Sequence, residues 1–253
     1  MSALDLLLFA AVLIGMSVQA AIGFGFAFFV APAAFAAFEP EPAVTLVLLL
    51  GIAINCLVLF GERRSAEVEP RQVGLLLVAA APGTLAGLWL LSHADRSLLQ
   101  IAVGVIVLAG AAIQAIAGSR PSAGVERRGG GSAAIEVTGG FAAGALTTSV
   151  SVNGPVLVLV LTRLGLRGAR LRDSLAAALL GLSVLATPVV LAGVGSGRAL
   201  PEAWVLLGCV PVLLIGHRFG AALFRRLDDA THHRAALAAA AVAGLLSIGA
   251  AIV

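Results

Sequence analysis

Thr147-Thr148-Ser149-Val150-Ser151-Val152-Asn153-Gly154-Pro155 interrupts an apolar run spanning residues 134–164, and the reading of this stretch decides the fold. Asn153 suits a helix N-cap, Pro155 its first turn and Gly154 a tight backbone, so a new helix is expected to start here inside the apolar run. Four of the five residues 147–151 carry hydroxyls, which close helix packing alone does not require. Working outward, a second interruption stands roughly 130 residues earlier, about half the chain. It reads Gln19-Ala20-Ala21-Ile22-Gly23-Phe24-Gly25-Phe26, within the run 3–38. Each run is too long for one straight helix, and each is read as a broken hairpin or re-entrant pair.

Composition identifies the solvent. With 60% hydrophobic and 11% charged residues, and a mean hydropathy of +1.08, the chain is excluded as a soluble domain and placed in a lipid bilayer. A crossing needs about 20 mostly apolar residues. Six such stretches occur, at 43–60, 73–91, 97–117, 171–192, 201–224 and 234–253.

The chain has 16 basic residues, all arginine. Basic residues are retained on the cytoplasmic side, and one topology places all of them inside except Arg96 and Arg198. In that topology both termini lie outside, and each broken segment enters and leaves on one side. A hairpin plus three spans makes an odd number of crossings, so the second copy is inverted relative to the first. The expected architecture is therefore an all-α polytopic membrane protein of two inverted repeats, each a broken helical hairpin plus three transmembrane helices. Residues 1–117 form the first repeat, 118–133 a cytoplasmic linker rich in Gly, Ser and Arg, and 134–253 the second repeat. Gly83, Gly87 and Asp95 find counterparts at constant offset in Gly216, Gly220 and Asp228. The N-terminus has no basic region before its apolar run, so no cleaved signal peptide is expected.

The chemistry is expected at the breaks, because unpaired backbone groups at membrane depth must face protein or a watery cavity. At the second break, helix N–H groups and the hydroxyls of Thr147, Thr148, Ser149 and Ser151 would form an anion cradle around Asn153 and Gly154. The first break offers Ser17, Gln19, Gly23 and Gly25, and the two helix starts would meet near the midplane. Asn55, in the middle of its span, is equally a substrate contact or a bond between helices. Pro82 and Pro211, with Pro155, are expected to break or kink helices beside the site. His217 is a candidate proton carrier or an interfacial residue. No Asp or Glu stands in the middle of any span, which disfavours a carboxylate cation pathway and favours an anionic substrate. Cys56 and Cys209 read as packing residues. Ser196 reads as part of a flexible loop, and His232 and His233 as part of a solvated turn, so neither an enzyme nor a metal site is expected. The expected partners are a small anion, the bilayer and, as a candidate, protons; no cofactor and no nucleic acid are expected.

These residues carry a resemblance. Gly23-Phe24-Gly25-Phe26 followed by Ala31-Pro32, Asn153-Gly154-Pro155-Val156-Leu157 and the two-copy plan resemble the sulfite exporter TauE/SafE (TSUP) family of bacterial membrane transporters. The resemblance implies movement of a small sulfur-containing anion, such as sulfite, thiosulfate or an organosulfonate, across the cytoplasmic membrane. It also implies that Gly23, Gly25, Asn153, Gly154 and Pro155 occupy the family's break positions. The alternatives are a carrier of another small organic anion, such as a carboxylate, and a membrane-embedded enzyme.

Overall fold

The computed structural model describes residues 3–61, 65–118 and 132–224, together with 244, 245 and 249. The described residues are helical, without strands. In chain order the helices are α1 (Ala3–Ile22), α2 (Phe26–Ala37), α3 (Pro40–Phe60), α4 (Pro70–His93), α5 (Arg96–Gly118), α6 (Ser132–Ser149), α7 (Gly154–Arg163), α8 (Gly168–Val194), α9 (Ser196–Ala199) and α10 (Ala203–Phe224). Local signals explain several ends. Pro40 and Pro70 stand in the first turns of α3 and α4, where a missing N–H costs nothing. Gly195, at φ 89°, ends α8.

Five of these helices are long and apolar enough to cross a membrane: Ala3–Ala20, Pro40–Phe60, Pro70–His93, Gly168–Val194 and Ala203–Gly220. The sequence reading differs here in one respect: it counted no full span within residues 3–38, whereas the break at residues 23–25, inside the stretch 19–26 quoted above, leaves α1 membrane-length and α2 12 residues long. The expected span at 97–117 falls within α5, a single apolar helix of 23 residues. The expected span at 234–253 lies outside the described residues save for 244, 245 and 249; most of the linker, Asp228, His232 and His233 also lie outside them.

Packing follows the small residues. A side chain on Gly83 or Gly87 of α4 would collide with the backbone of Phe141 or Ala145 in α6, and one on Gly144 with Ala80. Gly208, Gly216 and Gly220 of α10 lie against Phe9, Leu13 and Ser17 of α1. Backbones approach this closely only where side chains are absent, which is how helices associate without a hydrophobic driving force in lipid. In both pairs the residue numbers rise together, so α4 runs parallel to α6 and α10 parallel to α1. The glycines matched at constant offset thus serve two interfaces of the same kind, each joining the two halves.

Direction follows from the ends. The loop after α3 is pinned to the start of α8: the Glu67 N–H donates to Asp173 Oδ2 (2.8 Å) and the Glu69 N–H to Ser174 Oγ (2.9 Å). Arg172, in the same turn of α8, reaches Ala20 O at the end of α1 (3.4 Å). So α1 ends at the face where α4 begins, and α1 runs opposite to α4 and α6. Large side chains such as Phe35, Met16, Ile54 and Leu182 are buried at the centre, while Phe60, Val78, Trp89 and Leu207 are exposed. Apolar groups therefore occupy both the core and the perimeter, as a bilayer solvent allows.

Candidate anion cavity between the two breaks

At the first break, Gly23 (φ 86°) and Gly25 (φ 111°) take backbone conformations that side chains disfavour. Crowding reinforces the requirement at Gly23, where a Cβ would stand 2.5 Å from Arg172 Cγ. Gln19, one turn before the tip, ties the break together. Its Oε1 accepts from the Phe26 N–H at the start of α2 (3.1 Å). Its Nε2 donates to Asn55 Oδ1 on α3 (3.0 Å), and Asn55 Nδ2 donates to Gly51 O (2.8 Å). One otherwise unpaired donor of α2 is thereby satisfied through a relay that ends on α3.

At the second break α6 ends at Ser149 and α7 begins at Gly154, with Pro155 in its first turn. Asn153 stands at the N-cap position, yet its side chain makes no capping bond. Its Nδ2 instead donates to Thr147 Oγ1 (2.6 Å) across the break. Ser151 adopts φ 58°, the one positive φ outside glycine among the described residues.

The hydroxyl cradle read from the sequence needs correction. Thr147 donates to Ala143 O (2.6 Å), Ser149 to Ala145 O (2.7 Å), and Ser151 to Thr147 O (3.2 Å). Thr148 donates to Thr84 O on α4 (2.8 Å). Their protons go to carbonyls at the end of α6 and on its neighbour, because a hydroxyl four residues beyond a helical carbonyl bonds back to it. The donors left at this break are the N–H groups of the first turn of α7, to which Gly154 belongs.

The two breaks and the α3–α8 crossing line a partly open cavity of about 40 Å³, enough for a few water molecules. Gln19, Gly25, Asn55, Thr147, Ser151, Asn153 and Gly154 all line it. Phe24, Phe26 and Phe28 form an aromatic wall, and no lining residue carries a charge. Gly23 lies at the tip beneath Arg172, while Thr148 and Ser149 turn to carbonyls; these three do not line the cavity. Pro82 and Pro211 are exposed on α4 and α10, which contribute no lining residue, so the expected kinks do not stand beside the site. His217 is half-buried on α10, its Nδ1 without a hydrogen-bond partner, and also stands apart from the lining. Ser17 bonds to Leu13 O and Gly216 O at the α1–α10 contact. Cys56 and Cys209 are not in the lining.

Several lining residues escaped the sequence reading, among them Ser183 and Gly51. Ser183 of α8 and Gly51 of α3 meet where those helices cross, Ser183 Oγ standing 3.1 Å from the position a Gly51 Cβ would take. The signal was present, since Ser183 is a polar residue in the middle of a span just as Asn55 is.

Membrane-length helices, two broken helix pairs and a small uncharged cavity at their tips mark a multi-pass membrane protein. The family model described as Sulfite exporter TauE/SafE matches residues 7–248, and the chain belongs to that family of membrane transporters. No curated protein and no solved structure matches it.

Proposed function

We propose that the protein is a secondary transporter that moves a small sulfur-containing anion, such as sulfite, thiosulfate or an organosulfonate, across the bacterial cytoplasmic membrane. The observation that carries this reading is the cavity itself, which gathers both breaks around neutral polar groups and the starts of α2 and α7. Helix N-termini attract anions through free N–H groups and the aligned peptide dipoles. Family membership supplies the sulfur chemistry.

The two halves are read as inverted repeats, supported by the opposed directions of α1 and α6 and by the paired contacts α4 on α6 and α10 on α1. Alternating access then comes from one half rocking or gating against the other about the α3–α8 crossing. The arginine distribution supports a topology with both termini outside.

Purified protein in liposomes tests the reading. Current or isotope uptake is measured for sulfite, thiosulfate and an organosulfonate, with a carboxylate as control, in the wild type and in Asn153→Leu. Uptake of a sulfur anion that is lost in the variant is the expected outcome. Uptake of the carboxylate alone transfers the reading to an organic-acid carrier, and silence to every anion by both methods overturns it.

A further inference from the structure

Taking the anion-carrier reading as its basis and narrowing its substrates, we propose that the cavity accepts its substrate in the singly charged form, so that sulfite is carried as bisulfite and dianions, thiosulfate among them, are rejected. Three observations support this. None of the residues lining the cavity is ionisable: its polar side chains are Gln19, Asn55, Thr147, Ser151, Asn153 and Ser183, and the rest are glycine, aliphatic or aromatic. The nearby guanidinium, Arg172, lies outside the lining, directed to Ala20 O at the end of α1 with its stem packed on Gly23.

The second observation concerns the available positive potential. The starts of α2 and α7 meet at the cavity, and a helix N-terminus contributes about half an elementary charge. Two of them together balance about one negative charge. The cost of moving an ion from water into protein grows with the square of its charge, so a dianion meets about four times the penalty of a monoanion. It meets that penalty with no added countercharge.

The third observation is Ser183. Its residue is only 7% exposed, it lines the cavity, and its hydroxyl has no hydrogen-bond partner among the described residues, unlike the hydroxyls at the second break. A donor that opens into the cavity in this way is free to donate to a ligand oxygen. Phe24, Phe26 and Phe28 complete the lining with ring surface, which suits the lone pair or alkyl group of a monoanion and gives the further charged oxygens of a dianion no donor.

The test uses the full chain in liposomes and three probes. Sulfite changes from monoanion to dianion near neutrality, methanesulfonate is a monoanion throughout, and sulfate is a dianion throughout. From one pH unit below to one above the second ionisation of sulfurous acid, at constant total sulfite, the ratio of sulfite to methanesulfonate uptake is expected to fall about tenfold, with the bisulfite fraction. Sulfate uptake is expected below about one tenth of that of methanesulfonate. A ratio that stays constant or rises while methanesulfonate is carried, or sulfate carried as fast as methanesulfonate, overturns the charge-state proposal and leaves the carrier reading intact. Failure of all three probes overturns the carrier reading, and this proposal with it.

Discussion

Gln19 and Asn55 are joined by a 3.0 Å hydrogen bond between carboxamides, and this bond couples the first break to the long helix α3. Because Gln19 Oε1 also holds the Phe26 N–H, one side chain determines both the exit of the chain from α1 and the start of α2. The opening of α2 toward the cavity is thus set by a residue on the preceding helix. Movement of α3 relative to α1 would be felt at that opening.

Gln19→Leu removes both bonds and strands the Phe26 N–H and Asn55 Oδ1 in a buried site. Leaving a buried polar group unpaired costs about 1–3 kcal/mol. The expected outcome is protein that still reaches the membrane, melts at lower temperature in detergent, and transports at least about tenfold more slowly. Thermal unfolding and liposome uptake measured on one preparation check this; wild-type uptake in the variant would contradict it.

Ser183→Ala is expected to behave differently. The hydroxyl has no partner among the described residues, so its removal should leave thermal stability within about 0.5 kcal/mol of wild type. Loss of one hydrogen bond to an anion corresponds to about 1.5–3 kcal/mol, or an increase in KM of tenfold or more. Uptake measured against substrate concentration separates that effect from a change in maximal rate.

Gly83→Val and Gly144→Val place side chains where α6 and α4 touch backbone to backbone. Overpacking of this kind costs about 1–3 kcal/mol, and here it acts on the contact joining the two halves. Lower yield of monodisperse protein on size-exclusion chromatography is expected. Gly74→Ala, with nothing within 4 Å of its Cβ, is the matched control and should be tolerated.

Orientation is tested with cysteine labelling. In a background carrying Cys56→Ser and Cys209→Ser, Ser196→Cys and Ser65→Cys lie at opposite ends of the bundle, because α8 begins beside the loop that holds Ser65 and ends before Ser196. An impermeant maleimide added outside intact cells is expected to modify Ser196→Cys and spare Ser65→Cys. The reverse pattern would invert the topology drawn from the arginines.

Much of this protein was legible in its sequence because the bilayer is a demanding solvent. Apolar runs of crossing length must be helical, since every backbone group needs a partner within the segment. Interruptions such as Gly23-Phe24-Gly25 and Asn153-Gly154-Pro155 carry their meaning locally, through φ freedom and the fixed ring of proline. The helical class and the two breaks follow from these local rules. What each polar atom does is a question of neighbours, and only the tertiary structure answers it. The hydroxyls of Thr147, Ser149 and Ser151 read as anion donors until the carbonyls one turn behind them are seen to take their protons. Asn153 reads as a helix cap until its amide is seen to donate to Thr147. Ser183 and Gly51, unremarkable in their own spans, become cavity residues because α3 and α8 cross at that point. Secondary structure is dictated by short-range sterics and solvent, whereas the cavity also depends on approaches such as that of Gly51 to Ser183, more than a hundred positions apart, whose partners no local pattern specifies.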